Sequence, residues 1–164
     1  MEAWYAPLMR KAYDNALNSP DPSTQNGAVL VSADGKVIGE GCNHFPAGVD
    51  KCHWHGPKQA KYDRVVHAEV SAILSAARNG HSTWNSTLIC PWAGCSNCSK
   101  HIADAGITQL IRNPWTDGLT GMHWFDDCMV GDEIMREAGV VLTDADPVVL
   151  PVVKIRRDGK LWPA

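Results

Sequence analysis

The chain has 164 residues, 45% of them hydrophobic, which is enough for one domain with a full core. Its formal charge of −3 argues against a protein built to coat a nucleic-acid polymer, although a small anionic ligand needs only a few local cations. No apolar run approaches the roughly 20 residues that span a bilayer, and Met1-Glu2-Ala3-Trp4 lacks the basic start and apolar core of a signal peptide, so a cytoplasmic location without membrane attachment is expected.

Spacings of three and four among Trp4, Leu8, Ala12, Tyr13, Ala16 and Leu17 predict an amphipathic helix over 3–18, stopped by Ser19-Pro20-Asp21-Pro22-Ser23. The runs 28–31 and 37–41 flank Ala33-Asp34-Gly35-Lys36, which predicts an antiparallel hairpin. Residues 42–66 read as a long loop rich in His and Lys. A helix is expected over 67–79 with Gly80 as its stop. It is apolar almost all round, as if covered by a sheet on one side and another subunit on the other. Then come a strand at 87–90, a helix at 95–105, a strand at 107–111, a loop at 113–121, a helix at 123–138 and a strand at 140–142. This alternation predicts a mostly parallel five-stranded sheet with helices on both faces, in a single domain over 1–164. Residues 144–164 form a C-terminal extension, read as an edge strand or as a segment packed on a neighbour.

The chemistry concentrates in two stretches, His67-Ala68-Glu69 and the loop Pro91 to Cys98. They supply one imidazole, two thiols and one carboxylate: three ligands for a tetrahedral zinc, a fourth position open to water, and an acid/base beside it. Six cysteines suit metal binding better than disulfides when two form a C-x-x-C pair and no secretory signal is present. Cys95 and Cys98 lie about 60° apart at the start of a helix, where the dipole favours thiolates. His67 and Glu69 are about 200° apart on a regular helix, so the metal must lie beyond its N-terminal end, near the axis. Two thiolates already balance Zn²⁺, which leaves Glu69 as a proton carrier.

A lone C-x-x-C reads as a structural zinc or a redox pair, and the upstream H-x-E shifts the reading to catalysis. Cys90 and Cys128 read as buried thiols. Cys52-His53-Trp54-His55 forms a second, structural zinc with Cys42 or His101, or else is a solvated loop. Lys58, Lys61 and Arg64 meet a substrate phosphate or stay solvated. Trp92 and Trp115 stack on a base or simply pack.

H-x-E followed by C-x-x-C is the pattern of the cytidine deaminase superfamily. The segments 21–29, 39–48, 66–74 and 98–107 resemble the deoxycytidylate (dCMP) deaminases, a likeness running from about 4 to 142. The resemblance implies a cytidine deaminase-like three-layer α/β/α sandwich, a homo-oligomer, a catalytic zinc, and hydrolysis of dCMP to dUMP and ammonia. It implies zinc ligation by His67, Cys95 and Cys98. Glu69 moves a proton from water to N3 of the base and later to the departing amine. Asn43 contacts the sugar, and Ala68, Gly94 and Trp115 are the other expected substrate contacts.

The chain departs from the pattern at Gly94, where the family places proline, and at Cys42 and His44, where it places tyrosine and glycine in an element that serves regulation by dCTP and dTTP. A modified cytosine nucleotide is the alternative substrate. A non-catalytic zinc-stabilised nucleotide-binding module is the alternative of another class, and it has no use for Glu69.

Overall fold

The computed structural model describes residues 3–92, 94–113, 122–150 and 153–163. Helix α1 (Ala6–Leu17) carries Pro7 in its first turn, where a proline costs no hydrogen bond. It buries Ala6, Met9, Ala12, Tyr13 and Ala16 along one stripe. Strands β1 (Gly27–Val31) and β2 (Val37–Cys42) form the expected antiparallel hairpin around Asp34-Gly35. The stretch predicted to be loop holds a 3-10 turn, Lys51–Trp54, capped by Asp50, and a short helix α2 (Lys58–Tyr62). After them come α3 (Ala68–Arg78), β3 (Thr87–Cys90), α4 (Ser96–Asp104), β4 (Gln109–Arg112), α5 (Met122–Glu137) and β5 (Val141–Asp144).

The sheet order is β2-β1-β3-β4-β5. The helical crossovers make β3, β4 and β5 parallel, whereas β1 is antiparallel to both β2 and β3. The sheet is therefore mixed, with β1 alone running against the other four strands. Alternate residues of the strands feed two cores. Leu30, Leu88 and Leu110 meet Ala68, Ala72 and Ala76 of α3, Ile102 of α4 and Met135 of α5. Val29, Ile89 and Ile111 meet Met9, Ala12 and Tyr13 of α1. Helices thus cover both faces, giving the three layers. The four-residue spacing of small alanines lets α3 lie close on β2 and β1. On its outer face Leu74 is exposed among the described residues.

The tail departs from expectation. It forms neither an edge of the main sheet nor a single strand, but a separate hairpin of β6 (Lys154–Arg157) and β7 (Lys160–Pro163). The two turn residues, Asp158 and Gly159, have φ of +48° and +75°, the geometry that Asp-Gly accommodates between right-twisted strands. The hairpin docks on the 23–25 segment. Gln25 N–H donates to the Arg156 carbonyl at 2.9 Å, Arg156 N–H to Gln25 Oε1 at 3.1 Å, and Gly159 N–H to the Ser23 carbonyl at 2.9 Å. Ile155 enters the α1-side core. Burial alternates along β6, so Arg157 shares the inward face with Ile155.

Candidate active site

Two helix starts meet beyond the C-terminal end of β3. His67 is the N-cap of α3, with extended backbone (φ −71°, ψ 156°), so its ring leaves the helix axis rather than joining the spiral. Cys95 caps α4 in the same way (φ −69°, ψ 165°), and Cys98 lies in the first turn. The cap conformation removes the conflict between His67 and Glu69, because only Glu69 obeys helical geometry. His67 Nδ1 lies 3.5 Å from Cys95 Sγ and 3.4 Å from Cys98 Sγ, and the three ligand atoms all fall within 4.8 Å of one another. Zn–N near 2.0 Å and Zn–S near 2.3 Å put the N···S edge of a tetrahedron at about 3.5 Å. The donor set and spacing therefore fit zinc without rearrangement.

Asn43 holds this arrangement from below. Its Oδ1 accepts the Ala68 N–H at 2.9 Å, satisfying one of the donors left open at the start of α3, and its Nδ2 donates to the Thr24 carbonyl at 3.0 Å. Ser19 Oγ donates to the Asn43 carbonyl at 2.7 Å. Ala68 turns its methyl into the core beside Ala72 and Ala76.

Glu69 is 2% exposed, and its Oε2 has no hydrogen-bond partner among the described residues. Burial lifts its pKa to about 7, against the pull of the nearby imidazole. Hydrogen bonding from Cys98, and then from His67, draws Cys95 down to about 4 against the cost of burial. Burial disfavours the His67 cation, but Cys95 and the Glu69 carboxylate outweigh it and raise His67 to about 9. Gly94 lies beside this carboxylate: a Cβ there would stand 3.9 Å from Glu69 Oε1 and 3.4 Å from Ser99 Oγ.

Glu69, His67, Cys95 and Asn43 share one cleft, walled by Thr24, Asn26, Tyr62, Trp92, Trp124, Cys128 and Arg157. Tyr62 and Trp124 meet edge to face at 5.5 Å. Trp92 is nearly buried and donates its indole N–H to the Gln25 carbonyl at 2.8 Å, so packing fixes it even though it lines the cleft. Of the three expected cations, only Lys61 reaches the wall. It is held by Asp21 at 2.9 Å and Ser23 Oγ at 2.8 Å, while Lys58 is exposed and Arg64 donates to the Ala60 carbonyl.

Cys90 is buried and hydrogen-bonded to Asn26. Cys128 is only half-buried and borders the cleft, with its pKa pushed up by burial to about 12. Among the described residues His67, Cys95 and Cys98 form the one metal-like group, and Cys52, His53 and His55 do not join a second. Trp115 lies outside the described residues. Sequence reasoning missed Arg157, Trp124 and Tyr62 on the wall. For Arg157 a signal existed in Asp158-Gly159, a hairpin turn between alternating strands.

An α/β/α sandwich with a His-Cys-Cys zinc cluster at two helix starts and a buried glutamate beside it defines the zinc deaminase class. Residues 2–112 match the model of the cytidine and deoxycytidylate deaminase zinc-binding region, and the chain belongs to that family. An uncharacterised deaminase of Aliivibrio fischeri is 32% identical over 76% of this chain and 82% of its own length. The deoxycytidylate deaminase of Homo sapiens is 32% identical over 66% of this chain, which spans 63% of the human protein. The crystal structure of a dCMP deaminase from cyanophage S-TIM5, in complex with dCMP and dUMP, superposes with a TM-score of 0.69 at 24% identity, over 85% of this chain and 94% of that one, and shows the shared fold.

Proposed function

We propose that this chain is a single-domain zinc-dependent hydrolase that converts dCMP and water to dUMP and ammonia. The observation that carries this reading is Glu69: a carboxylate almost fully buried, with one oxygen unpartnered, opening into the same cleft as the His67-Cys95-Cys98 trio. A structural zinc site gains nothing from that oxygen, and leaving it buried without a partner costs stability.

Zinc held by His67, Cys95 and Cys98 would supply a water of near-neutral pKa as the nucleophile for C4 of cytosine. Glu69 is placed to accept a proton from the attacking water and to donate one to N3, which makes C4 electrophilic. It then carries the proton of the new C4 hydroxyl to the amino group, so that the C4–N bond breaks as the C4 carbonyl forms and ammonia leaves. A carboxylate lifted to about 7 by burial is well matched to a proton that must be both taken and returned. Asn43 orients the start of α3 through Ala68 and borders the sugar side of the cleft, and Tyr62 and Trp124 offer aromatic surfaces for the base.

A modified cytosine nucleotide is the second reading. Gly94 leaves the space beside Glu69 without the proline ring that the family pattern places there. The human and phage relatives named above support the unmodified base. Six free cysteines and a thiolate site suit a reducing, cytoplasmic setting. The exposed apolar side chains of Leu74 on α3 and of Phe125, Met129 and Val130 on α5 suit contact with further copies of the chain. The test is a panel of dCMP, CMP, deoxycytidine, dCTP and 5-substituted dCMP followed by ultraviolet absorbance, with bound zinc quantified. Preference for dCMP with one zinc per chain is expected, and preference for the nucleoside would sink the nucleotide reading.

A further inference from the structure

We infer that Asp127 is a positioning residue for the zinc-ligand turn, capping helix α4 from outside because the side chain at its own N-cap is needed by the metal. The inference rests on the ligand assignment made above. The first N–H groups of a helix need acceptors, and the N-cap side chain is the usual source. At α4 the N-cap is Cys95, which makes no side-chain cap hydrogen bond, and its sulfur stands 3.5 Å from His67 Nδ1. The first turn of α4 also carries no acidic residue to face the positive end of the helix dipole.

Asp127 supplies both the acceptor and the charge from α5, 31 positions along the chain. Ser96 N–H donates to its Oδ2 at 3.3 Å, and the Ser96 hydroxyl donates to its Oδ1 at 2.5 Å. One carboxylate thus holds the backbone and the side chain of the residue that follows Cys95 and opens the turn to Cys98. The carboxylate is itself fixed. One turn further along α5, Gly131 lies against the carbonyl of Gly94, and Asp132 accepts Arg112 N–H groups at 2.7 and 3.0 Å, which ties α5 to the end of β4. Asp127 borders a hollow with Ser96, Asn97 and Cys98 rather than the cleft of Glu69. It therefore acts through the ligands and not on substrate. Charge-assisted hydrogen bonds from outside the ligand set fix the turn that aims both sulfurs.

The test uses the full chain loaded with zinc or with Co(II), comparing wild type with Asp127→Ala, Asp127→Asn and Ser96→Ala. Zinc release to the chelator pyridylazoresorcinol should be about 10–100-fold faster in Asp127→Ala. The thiolate-to-Co(II) charge-transfer bands, which follow ligand geometry, should shift or weaken in the same variant. Asp127→Asn keeps an oxygen acceptor in the same shape and should restore most of both signals. Ser96→Ala loses only the hydroxyl bond and should fall in between. Thermal midpoints are recorded beside them, since loss of a helix cap alone lowers stability without moving the Co(II) bands. If Asp127→Ala fails to fold, Ser96→Ala carries the comparison. Wild-type release rates and bands in the variants, even with a lower thermal midpoint, overturn the inference and leave the ligand assignment standing. A wild type without thiolate-to-Co(II) bands overturns both.

Discussion

A Cβ on Gly131 of α5 would stand 2.6 Å from the carbonyl oxygen of Gly94, 2.7 Å from Ser99 Oγ and 3.1 Å from the carbonyl carbon of Cys95. Helix α5 is thus pressed against the backbone that presents Cys95, and only a residue without a side chain permits the contact. Gly131→Ala must push that loop or the helix aside. It should cost about 1–3 kcal/mol in urea unfolding and lower zinc affinity, even though Gly131 touches no ligand atom. Unchanged zinc affinity and stability would show that the contact relaxes freely.

Glu69→Gln separates chemistry from stability. The amide keeps the shape and removes a buried charge whose Oε2 has no partner. Ammonia release should fall about 10²–10⁴-fold, while zinc content stays near one and the thermal midpoint does not drop. Full retention of activity would remove Glu69 from its proposed role.

Removal of the metal exposes the protonation pattern of the ligands. Cys95 then titrates at about 4, drawn down by Cys98 and His67 against burial. Its proton has already left at the acid end of the range from roughly pH 5 to pH 8, so the thiolate fraction is constant there. The iodoacetamide rate at Cys95, read by peptide mass spectrometry, should therefore stay flat, whereas an ordinary thiol gains about tenfold per pH unit. A tenfold rise per unit at Cys95 would mean that neither neighbour stabilises the thiolate.

The Lys61–Asp21 pair supports the wall of the cleft. Asp21 is 1% exposed and also accepts the N–H groups of Ser23 and Thr24. Asp21→Ala leaves a nearly buried ammonium unpaired and should cost about 3–5 kcal/mol, measured by denaturant unfolding. Adding Lys61→Met should return part of that loss. A double variant less stable than Asp21→Ala alone would refute the pairing account.

Most of the chemistry was legible because it is local. The H-x-E and C-x-x-C spacings name the donor atoms, and Gly80, Gly106 and Gly139 mark the ends of the helices that carry or flank them. The same local rules found the β1–β2 hairpin and the alternation behind the sandwich. Asn43 was legible as a position, but its clamp on the Ala68 N–H joins residues 25 apart in the chain and could not be read from spacing. The reversed direction of β1 was hidden for a similar reason: β3 pairs with β1, a choice made by packing between distant segments.

By itself, then, the sequence picked out the candidate donors His67, Cys95 and Cys98, the candidate proton carrier Glu69 and the layered α/β class, since each depends on residues a few positions apart whose side-chain directions follow from helix or strand period. Only the tertiary structure decided what surrounds them. It brought the N-caps of α3 and α4 to within a zinc tetrahedron's edge, set Gly131 against Gly94, and folded the tail back so that Arg157 lies over Trp92. Those relationships come from burial of Ile155, Met135 and the alanine face of α3, and hydrophobic burial has no direction that a short stretch of sequence can reveal.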